Sequence, residues 1–441
     1  MRVVGIDMGS SRIKACLFRL DDQPVLEKTH GLDCPLERGP DRAEHDLEAT
    51  EQAVRECLAQ MPAGTPLGFA SAMHSLVALD EAGRPLTRAI AWADTRAAEQ
   101  ARQLQAVDPE AHQRTGTPVH PMAWPAKILW LQENEPKLWE RCHRLLDHKT
   151  YVLERLTGHR LPMDRSNASA TGLYDRHGWD HQLVARLGLQ DRLPEVAEPD
   201  YGFECLGHPA VLGGGDGPLA NLGVGAVSEG RLAVSLGTSG AVRGVTRHPS
   251  HKPELFVYAL DAQGWVQGGA ISNGTSVFDW LNRLRPEPLS AEELVKLAAP
   301  VPAGARGLKV HPYFSGERAP YWDPAVESRI VGWSYQHGFA ELTRACLEGV
   351  AFCLRRLVHL WPPATLRCTG GLFADAFFTQ LLADVCGCPV AVAPYPEATA
   401  LGAALLILPD RWQRAAALPA GDLVEPQTNL YEELYAQWVA C

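Results

Sequence analysis

The sequence lacks several patterns that mark the commonest functional classes of protein. It has no Cys-x-x-Cys pair and no zinc-like pairing of cysteine with histidine, and its 11 cysteines are scattered. Neither a Gly-x-x-x-x-Gly-Lys-Ser/Thr motif nor a Gly-x-Gly-x-x-Gly motif occurs. These absences argue against a structural zinc site and against the two commonest nucleotide-binding folds, and they predict reduced, partly buried thiols.

Long hydrophobic runs and an excess of positive charge are also absent. The longest apolar run covers residues 398–408, which is shorter than the roughly 20 residues of a membrane-spanning helix. Arg2 leads into only a few apolar or small residues before Asp7, which is unlike a signal peptide. The net charge of −11 disfavours non-specific binding to nucleic acid or anionic membranes. The sequence predicts a cytoplasmic protein that binds neither nucleic acid nor membranes.

What is present is a long chain of alternating strand-like and helix-like segments. At 441 residues it is too long for one hydrophobic core, so two or three domains are expected. The alternation indicates an α/β fold. A short polar step at residues 227–230 is the candidate boundary, which predicts domains covering residues 1–229 and 230–441.

Two similar glycine-containing turns are the most informative feature. Gly9, Ser10 and Ser11 separate two apolar strand-like runs, and Gly237, Thr238, Ser239 and Gly240 do the same later in the chain. Such turns allow backbone N–H groups and hydroxyls to converge on phosphate oxygens. When the turns are aligned on their first glycines, Asp7 matches Ser235, so only the first turn offers a carboxylate suited to Mg²⁺. Either turn alone fits an ordinary hairpin, whereas the pair favours an ATP cleft.

Two further segments are candidates for chemistry. Asp216 follows three glycines and precedes Pro218, as expected at a helix start, where a carboxylate stays ionised and can accept a proton from a hydroxyl. The alternative is a simple helix cap. Gly370 and Gly371 lie between a predicted strand and helix, where adenine or ribose can approach the backbone. A plain strand-to-helix turn explains these glycines equally well.

Taken in order, these and other short motifs resemble those of the FGGY family of carbohydrate kinases, in the actin, hexokinase and Hsp70 ATPase superfamily. The resemblance runs along the whole chain and rests on DMGSSRIK (7–14), SAMHS (71–75), WADTR (92–96), TGTP (115–118), KILW (127–130), GD (215–216), GTSG (237–240), GERAP (316–320) with WD (322–323), LEG (347–349) and TGG (369–371). Within the family, the gluconokinase branch is the most similar, on SAMHSL (71–76), HPM (120–122), ASATGL (168–173) and GTSGAVR (237–243).

The resemblance implies two RNase-H-like lobes with an ATP cleft between them and a sugar bound mainly by the first. It implies Asp216 as the catalytic base and Asp7 as the second catalytic residue and Mg²⁺ ligand. The implied ATP-binding residues are Gly9, Ser10, Ser11, Lys14, Gly237, Thr238, Ser239, Gly370 and Gly371. The candidate sugar-binding residues are Met73, His74, Trp92, Asp94, Arg96 and Asp216.

Some of these candidates have an alternative interpretation. A core tryptophan with a surface ion pair accounts for Trp92, Asp94 and Arg96 as well as a sugar pocket does. Likewise, Glu317, Arg318 and Asp323 fit either a role at the cleft or an internal ion network. The sequence departs from the family pattern at Trp124, Trp333, Asp375 and Phe378 and is shorter than most members, which leaves sugar choice and nucleotide affinity open.

The expected reaction is ATP-dependent phosphorylation of a terminal hydroxyl of a sugar acid, with D-gluconate first. A gluconate site should present cations, and His74, Arg96, Lys127 and Arg165 are the candidates. A xylulokinase or another ketose or polyol kinase is the main alternative. A nucleotide-gated ATPase that is not a kinase and an inactive regulator are less favoured. The expected partner is a small-molecule sugar or sugar acid, and a homodimer is the assembly considered.

Overall fold

Two mixed β-sheets form the framework of the protein, which divides into two structural units. The computed structural model describes residues 1–395 and 397–441. The first unit comprises Met1–Gly223, Thr246–Gln267 and Glu397–Leu418, and the second comprises Val224–Val245, Gly268–Pro396 and Pro419–Cys441. The domains predicted from the sequence, 1–229 and 230–441, are each continuous. In the structure, by contrast, two segments that follow residue 230 pack with the first unit.

The strands of the described residues, in chain order, are β1 (Arg2–Met8), β2 (Arg12–Leu20), β3 (Pro24–Asp33), β4 (Glu37–Arg38), β5 (Ala43–His45), β6 (Leu67–Ser71), β7 (Val77–Leu79), β8 (Ala89–Ile90), β9 (Arg144–Leu146), β10 (Met163–Asp164), β11 (Val196–Ala197), β12 (Gly202–Cys205), β13 (His208–Gly215), β14 (Arg231–Leu236), β15 (Gly240–Thr246), β16 (Phe256–Asp261), β17 (Gly264–Ile271), β18 (Lys309–His311), β19 (Arg329–Val331), β20 (Thr365–Thr369), β21 (Val390–Val392) and β22 (Leu423–Val424).

The α-helices are α1 (Leu47–Ala59), α2 (Ala98–Val107), α3 (Ala111–Thr115), α4 (Trp124–Asn134), α5 (Pro136–Arg141), α6 (His148–Thr157), α7 (Arg165–Ala170), α8 (His181–Leu187), α9 (Asp216–Gly223), α10 (Ser276–Arg283), α11 (Ala291–Ala298), α12 (Phe339–Val358), α13 (Ala376–Cys386), α14 (Ala398–Leu406), α15 (Arg411–Ala416) and α16 (Leu430–Val439). None of the helices in residues 1–395 and 397–441 combines the length and the hydrophobicity of a membrane-spanning segment.

The same strand arrangement occurs in both units. In the first, the sheet order is β12-β13-β6-β1-β2-β3, with β1 antiparallel to β2 and parallel to β6. The second unit contains the adjacent strands β15-β14-β20-β21-β22 in that order, with β14 antiparallel to β15 and parallel to β20. The two glycine turns join β1 to β2 and β14 to β15. The internal similarity of the sequence therefore corresponds to a repeated strand-turn-strand unit.

Glycines explain why α14 belongs to the first unit. A Cβ atom on Gly5 of β1 would lie 1.8 Å from the carbonyl oxygen of Ala400, and one on Gly68 of β6 would lie 2.0 Å from that of Ala403. In the other direction, a Cβ on Gly402 would lie 1.9 Å from the carbonyl oxygen of Leu219 in α9. Backbones can approach this closely only where side chains are absent. The apolar run at 398–408 is thus a helix buried against β1, β6 and α9.

The cysteines lie mostly in the core. All eleven are free thiols, ten of them are buried, and Cys441 is exposed. The predicted thiol state is therefore confirmed, and burial exceeds what the sequence predicted.

The core of the first unit also holds two stacked histidines, whose titration should make stability pH-dependent. The rings of His45 and His148 lie 4.4 Å apart between centroids, and both side chains are buried. Burial lowers the pKa of His45 to about 4, and Lys127 adds to this fall. Because the unfolded chain binds a proton at a higher pH, near 6.5, His45 costs stability as the pH falls from about 6.5 towards 4.

We therefore expect His45→Phe to gain stability relative to the wild type as the medium is acidified. Phenylalanine keeps a ring against His148 but cannot bind a proton. Denaturant unfolding at pH 7.5, 6.5 and 5 should show that the free-energy difference between variant and wild type moves in favour of the variant at each step. Titrating groups that do not interact with His45 are common to both proteins and cancel. His45 helps to lower the pKa of His148, so its replacement changes the titration of His148 in a way that also favours the variant in acid. A difference that stays constant with pH would show that His45 is not the group responsible.

Candidate functional site

The first glycine turn presents polar groups between β1 and β2. The N–H of Gly9 donates to the carbonyl oxygen of Arg12 at 3.1 Å, which closes the turn. Ser11 is exposed, and Ser10 is half-buried, with its hydroxyl accepting a hydrogen bond from Nε1 of Trp92 at 2.9 Å. Trp92, which the sequence placed at the sugar site, therefore lies against the predicted phosphate turn.

Asp7 and Lys14 face each other directly across β1 and β2. The ammonium of Lys14 also forms an ion pair with the carboxylate of Glu397, with Nζ at 3.0 and 2.9 Å from its two oxygens. Glu397 is 383 residues away in sequence. No local pattern could therefore have marked it as a neighbour, and the sequence reasoning missed it.

The electrostatic environment of Asp7 joins it to Asp216. Burial raises the pKa of Asp7 to about 7, and the carboxylate of Asp216 is the next cause of the rise. Lys14 opposes the rise and Glu397 adds to it. The two acids that the sequence selected as catalytic therefore share one cluster with a third carboxylate and one ammonium.

Three successive glycines in β13 deliver Asp216 to this cluster. Gly213 has φ +76°, and a Cβ there would lie 1.6 Å from the carbonyl oxygen of Phe69 in β6. A Cβ on Gly215 would lie 2.6 Å from the Met73 side chain. The pairing of β13 with β6 shifts register between Val211 and Gly214, as at a β-bulge. Only glycine fits this close approach.

Asp216 is the first residue of α9 and is half-buried. Its Oδ1 accepts a hydrogen bond from the N–H of Gly217 at 2.7 Å. This contact holds the carboxylate at the helix start, where the helix dipole favours the ionised form. The predicted position of Asp216 at the start of a helix is thus confirmed. Capping this helix is compatible with accepting a proton from a substrate.

Met73 and His74 follow β6 and lie beside the same segment. His74 has φ +66°, an uncommon conformation for a residue with a side chain. Its Nδ1 lies 2.7 Å from the carbonyl oxygen of Ala170, so this nitrogen carries the proton and donates. Its Nε2 lies 3.4 Å from the hydroxyl of Tyr258, which stacks on Phe256 with ring centroids 4.3 Å apart. Tyr258 was missed because nothing in its local sequence relates it to His74.

Asp94 and Arg96 form an internal ion network. The Arg96 guanidinium donates to both Asp94 oxygens, from Nε at 2.9 Å and from Nη2 at 2.7 Å, and it also pairs with Glu44. Oδ2 of Asp94 accepts from the N–H of Ala43 as well, at 2.9 Å. The Asp94 side chain has no exposed area and that of Arg96 is 6% exposed. The sequence left open whether these residues line a sugar pocket or form a surface ion pair. The structure contains the ion pair, and the pair is buried.

Two other cations proposed for a sugar acid are also engaged. Nζ of Lys127 donates to the carbonyl oxygens of His74 at 2.6 Å and Ile90 at 3.0 Å. Burial lowers the pKa of Lys127 to about 7, against the opposing charge of Asp94. Nη1 of Arg165 donates to Glu198 at 3.0 Å. Lys127 therefore fixes the backbone of His74 and is not presented as a surface cation.

The second glycine turn has an equivalent position in the second unit. Gly237 and Thr238 are exposed, and the N–H of Gly237 donates to the carbonyl oxygen of Ser239 at 2.8 Å. The segment before α10 supports the turn, since the N–H groups of Gly274 and Thr275 donate to the carbonyl oxygens of Thr238 and Gly237 at 2.8 and 2.7 Å. The turn is thus fixed through its carbonyls while its outer face stays accessible.

Gly370 and Gly371 lie beside this turn. Gly370 has φ +128°, and a Cβ there would lie 1.9 Å from the carbonyl oxygen of Leu236, the last residue before Gly237. Gly371 is exposed, and a Cβ there would meet nothing within 4 Å. Asp375 caps α13 by accepting from the N–H groups of Phe377 and Phe378. The glycine pair and the second turn therefore form one accessible surface within the second unit.

Of the remaining candidates, Glu317 is buried and fixes a loop. Its Oε1 accepts from the N–H groups of Ser272 at 2.6 Å and Arg318 at 2.9 Å. Burial raises the pKa of Glu317 to about 7. Arg318 donates from Nη2 to the carbonyl oxygen of Ile271 at 2.9 Å, and Asp323 accepts from Ala325 at 2.8 Å. These hydrogen bonds to backbone groups hold the segment in place, and the choice between an internal ion network and a role at the cleft stays a prediction.

The departures from the family pattern have local explanations in part. Trp124 is fully buried, and its Nε1 donates to the carbonyl oxygen of Ser75 at 2.7 Å. Phe378 is fully buried against Phe373, with ring centroids 5.7 Å apart. Trp333 is 54% exposed. The first two are therefore packing residues, and nothing in the structure explains the third.

Comparison with known proteins agrees with this architecture. The model of the FGGY N-terminal carbohydrate kinase domain matches residues 2–205, and that of the FGGY C-terminal domain matches residues 232–408. A gluconokinase of Bacillus licheniformis is 32% identical over 92% of this chain and 86% of its own length. A xylulose kinase of Escherichia coli K12 is 30% identical over 87% of this chain and 84% of its own length.

Solved structures show the same fold. The ligand-bound xylulose kinase and the gluconate kinase from Lactobacillus acidophilus each superpose with a TM-score of 0.92 at 26% identity, covering 100% of this chain and 97% of theirs. The fold is thus the two-domain α/β fold of actin- and hexokinase-like ATPases. With both family domains matched in order, the chain is a sugar phosphotransferase and belongs to the FGGY family of carbohydrate kinases.

Proposed function

We propose that the protein transfers the γ-phosphoryl group of ATP to the terminal hydroxyl of a sugar acid, with D-gluconate as the first candidate. The observation that carries the reaction type is the cluster of Asp7, Asp216, Lys14 and Glu397 beside an accessible glycine turn. The choice of gluconate rests on the relatives named gluconokinase, which are 32% and 33% identical over 92% of this chain.

In this mechanism Asp216 is the general base. Its carboxylate would accept the proton of the sugar hydroxyl as the oxygen attacks the γ-phosphorus atom. It would also aim that hydroxyl, since phosphoryl transfer has a loose transition state and depends mainly on positioning. The N–H of Gly217 keeps the carboxylate in one orientation.

The residues present fit a Mg²⁺ ion at Asp7. Burial and, after it, the carboxylates of Asp216 and Glu397 raise the pKa of Asp7. Three carboxylates and one ammonium leave an excess of negative charge, which a divalent cation would balance. No group of three or more potential metal ligands was found among the residues described. In phosphoryl-transfer sites, magnesium is commonly held by one or two carboxylates together with phosphate oxygens and water. When bound, the ion would neutralise charge on the phosphates.

ATP binding is assigned to the two turns. Gly9, Ser10 and Ser11 would donate to phosphate oxygens, with Lys14 near them. In the second unit, Gly237, Thr238 and Ser239 would do the same, and Gly370 and Gly371 would contact the adenosine. Met73 and His74 would contact the sugar, while Trp92 would support Ser10. Asp94 and Arg96 would shape the sugar pocket through their ion network. We place the reaction in the cytoplasm, and the homodimer stays a prediction.

A ketose such as xylulose is the second candidate substrate, and a specific observation favours it. Three of the four cations considered for a sugar acid, Arg96, Lys127 and Arg165, already pair with groups of the protein. His74 donates from Nδ1 to Ala170, so its Nε2 is an acceptor, and the hydroxyl of Tyr258 lies 3.4 Å from it. A neutral polyol needs no cation to balance its charge, so the engagement of these three cations disfavours it less than it disfavours a sugar acid.

A substrate panel separates the two candidates. Coupled assays with ATP and Mg²⁺ would compare gluconate, xylulose, ribulose, glycerol and erythritol at equal concentrations. We expect gluconate to give a kcat/KM at least about tenfold above that of xylulose, since 1.4 kcal/mol of differential binding suffices for that ratio. A higher kcat/KM for xylulose would overturn gluconate as substrate while leaving the reaction type intact.

A further inference from the structure

A buried polar cluster next to β13 has no role in the mechanism so far. Lys149 and Asp164 are each 1% exposed and form an ion pair, with Nζ 2.8 Å from Oδ2. The same Nζ donates to the carbonyl oxygen of Leu212 in β13 at 2.8 Å. Desolvating two charges is costly, so a buried pair adds little net stability compared with apolar residues. Its value here is the connection that it makes.

Asp164 connects Lys149 to α7. Its Oδ1 accepts from the N–H of Asn167 at 2.8 Å, which caps the helix. Its Oδ2 accepts from the side-chain amide of Asn167 at 3.0 Å, and that amide lies 3.4 Å from Oγ of Ser71 at the end of β6. The start of α7 is therefore fixed to β6 through Asn167 and to Lys149 through the ion pair.

Ser166, in the first turn of α7, holds the residue before Asp216. Its Oγ accepts a hydrogen bond from the N–H of Gly215 at 3.1 Å, and a Cβ on Gly214 would lie 3.1 Å from the same oxygen. Lys149 thus donates a hydrogen bond to Leu212, the residue before the three glycines, and Ser166 accepts one from Gly215, the last of them. A glycine segment has no side chains to pack and is intrinsically free in conformation. The contacts with Lys149 and Ser166 therefore add to the pairing of β13 with β6 in restricting this segment.

We propose that Lys149, Asp164 and Ser166 are positioning residues that fix the β13 glycine segment and thereby aim the carboxylate of Asp216. The proposal rests on the proposed role of Asp216 as base. A displacement of about 1 Å in a reacting group costs on the order of a hundredfold in rate. The cluster acts through the backbone of Leu212 and Gly215, so it should affect turnover without changing how tightly substrates bind.

The first test is Ser166→Ala in the full-length protein. The substitution removes one hydroxyl and leaves the N–H of Gly215 without its partner. We expect kcat to fall about 10- to 100-fold, with KM for ATP and for the sugar each within twofold of the wild type. The decisive readout is a double-mutant cycle with Asp216→Asn: the serine substitution should lower kcat no further once the base is gone, because coupled residues are non-additive.

The second test separates aim from stability. The double variant Lys149→Met/Asp164→Asn removes the buried ion pair, while asparagine keeps the helix cap. Asp147, a buried carboxyl group that interacts with both members of the pair, is left unchanged. Denaturant unfolding shows whether this variant is as stable as the wild type. If the ion pair served only stability, a variant of wild-type stability would have the wild-type kcat. We expect kcat to remain at least about tenfold low, because Leu212 has lost its donor. Glu154→Gln is the matched control: Glu154 lies on α6, as Lys149 does, but pairs with Arg144 at 2.8 Å. It should retain wild-type kcat.

The outcomes distinguish this inference from the proposed function. If Asp216→Asn is inactive while Ser166→Ala and Lys149→Met/Asp164→Asn keep wild-type kcat, the positioning role is overturned and the role of Asp216 as base stands. An equal, additive loss from Ser166→Ala in the presence and absence of the Asp216 carboxylate also overturns it. If Asp216→Asn is itself active, the proposed function fails first.

Discussion

Replacing Asp216 with asparagine should lower kcat by at least about a hundredfold while leaving the fold and ATP binding unchanged. Asparagine has the same size as aspartate, and its side-chain oxygen can still accept from the N–H of Gly217, now at 2.7 Å from Oδ1. It cannot accept a proton from a sugar hydroxyl. General-base assistance is typically worth 100- to 10,000-fold, or about 3 to 5 kcal/mol.

The control for this substitution is another acid at a helix start. Asp46 precedes α1 and accepts from the N–H of Ala49 at 2.9 Å, and its pattern of capping survives a change to asparagine. Asp46→Asn should therefore keep wild-type turnover. ATP binding is measured by calorimetry. Turnover is measured with the preferred sugar of the panel. Near-normal turnover of Asp216→Asn would remove Asp216 from the role of base.

Replacing Gly213 with alanine should destabilise the first unit by about 2 to 5 kcal/mol, the sum expected for left-handed backbone and overpacking. Gly213 has φ +76°, and its added Cβ would lie 1.6 Å from a backbone oxygen of Phe69. A main-chain atom cannot swing away as a flexible side chain can. β13 and β6 would have to separate, which would also displace Asp216.

The matched control is Gly178→Ala. Gly178 has no left-handed φ, and a Cβ there would meet nothing within 4 Å. Its free energy of unfolding should change by less than about 0.5 kcal/mol. Denaturant unfolding followed by circular dichroism measures both variants. A Gly213 variant as stable as the control would mean that β13 does not approach β6 as closely as described.

The sequence predicted best those features that depend on a few adjacent residues. The turn at Gly9, the helix start at Asp216 and the repeated strand-turn-strand units could be predicted because glycine, apolar alternation and capping act locally. The placement of Asp7 near Asp216 required the resemblance to a family, since the two lie in strands far apart in sequence. In the structure, the carboxylate of Asp216 is, after burial, the next cause of the raised pKa of Asp7.

Features that depend on packing between distant segments were not predictable. Glu397 reaches Lys14 across 383 residues, and Tyr258 reaches His74 across 184. The assignment of residues 397–418 to the first unit follows from glycines at positions 5 and 68 that admit a helix, and nothing in the local sequence of that helix indicates its destination. Asp94 and Arg96 illustrate a further limit of prediction from sequence. The sequence pattern of a charged pair is the same whether the pair contacts a ligand or is buried in an ion network.

The most direct test of the account is ³¹P NMR of the wild-type protein with ATP, Mg²⁺ and each sugar of the panel. We expect that with one sugar, which we propose is gluconate, the signal of the γ-phosphate disappears. The signal of a sugar phosphate monoester should appear in an equal amount. Inorganic phosphate should form far more slowly, because an active site that excludes water protects the phosphoryl group. Release of inorganic phosphate alone, or ATP left intact with every sugar, would contradict the claim that Asp7 and Asp216 form a sugar kinase site.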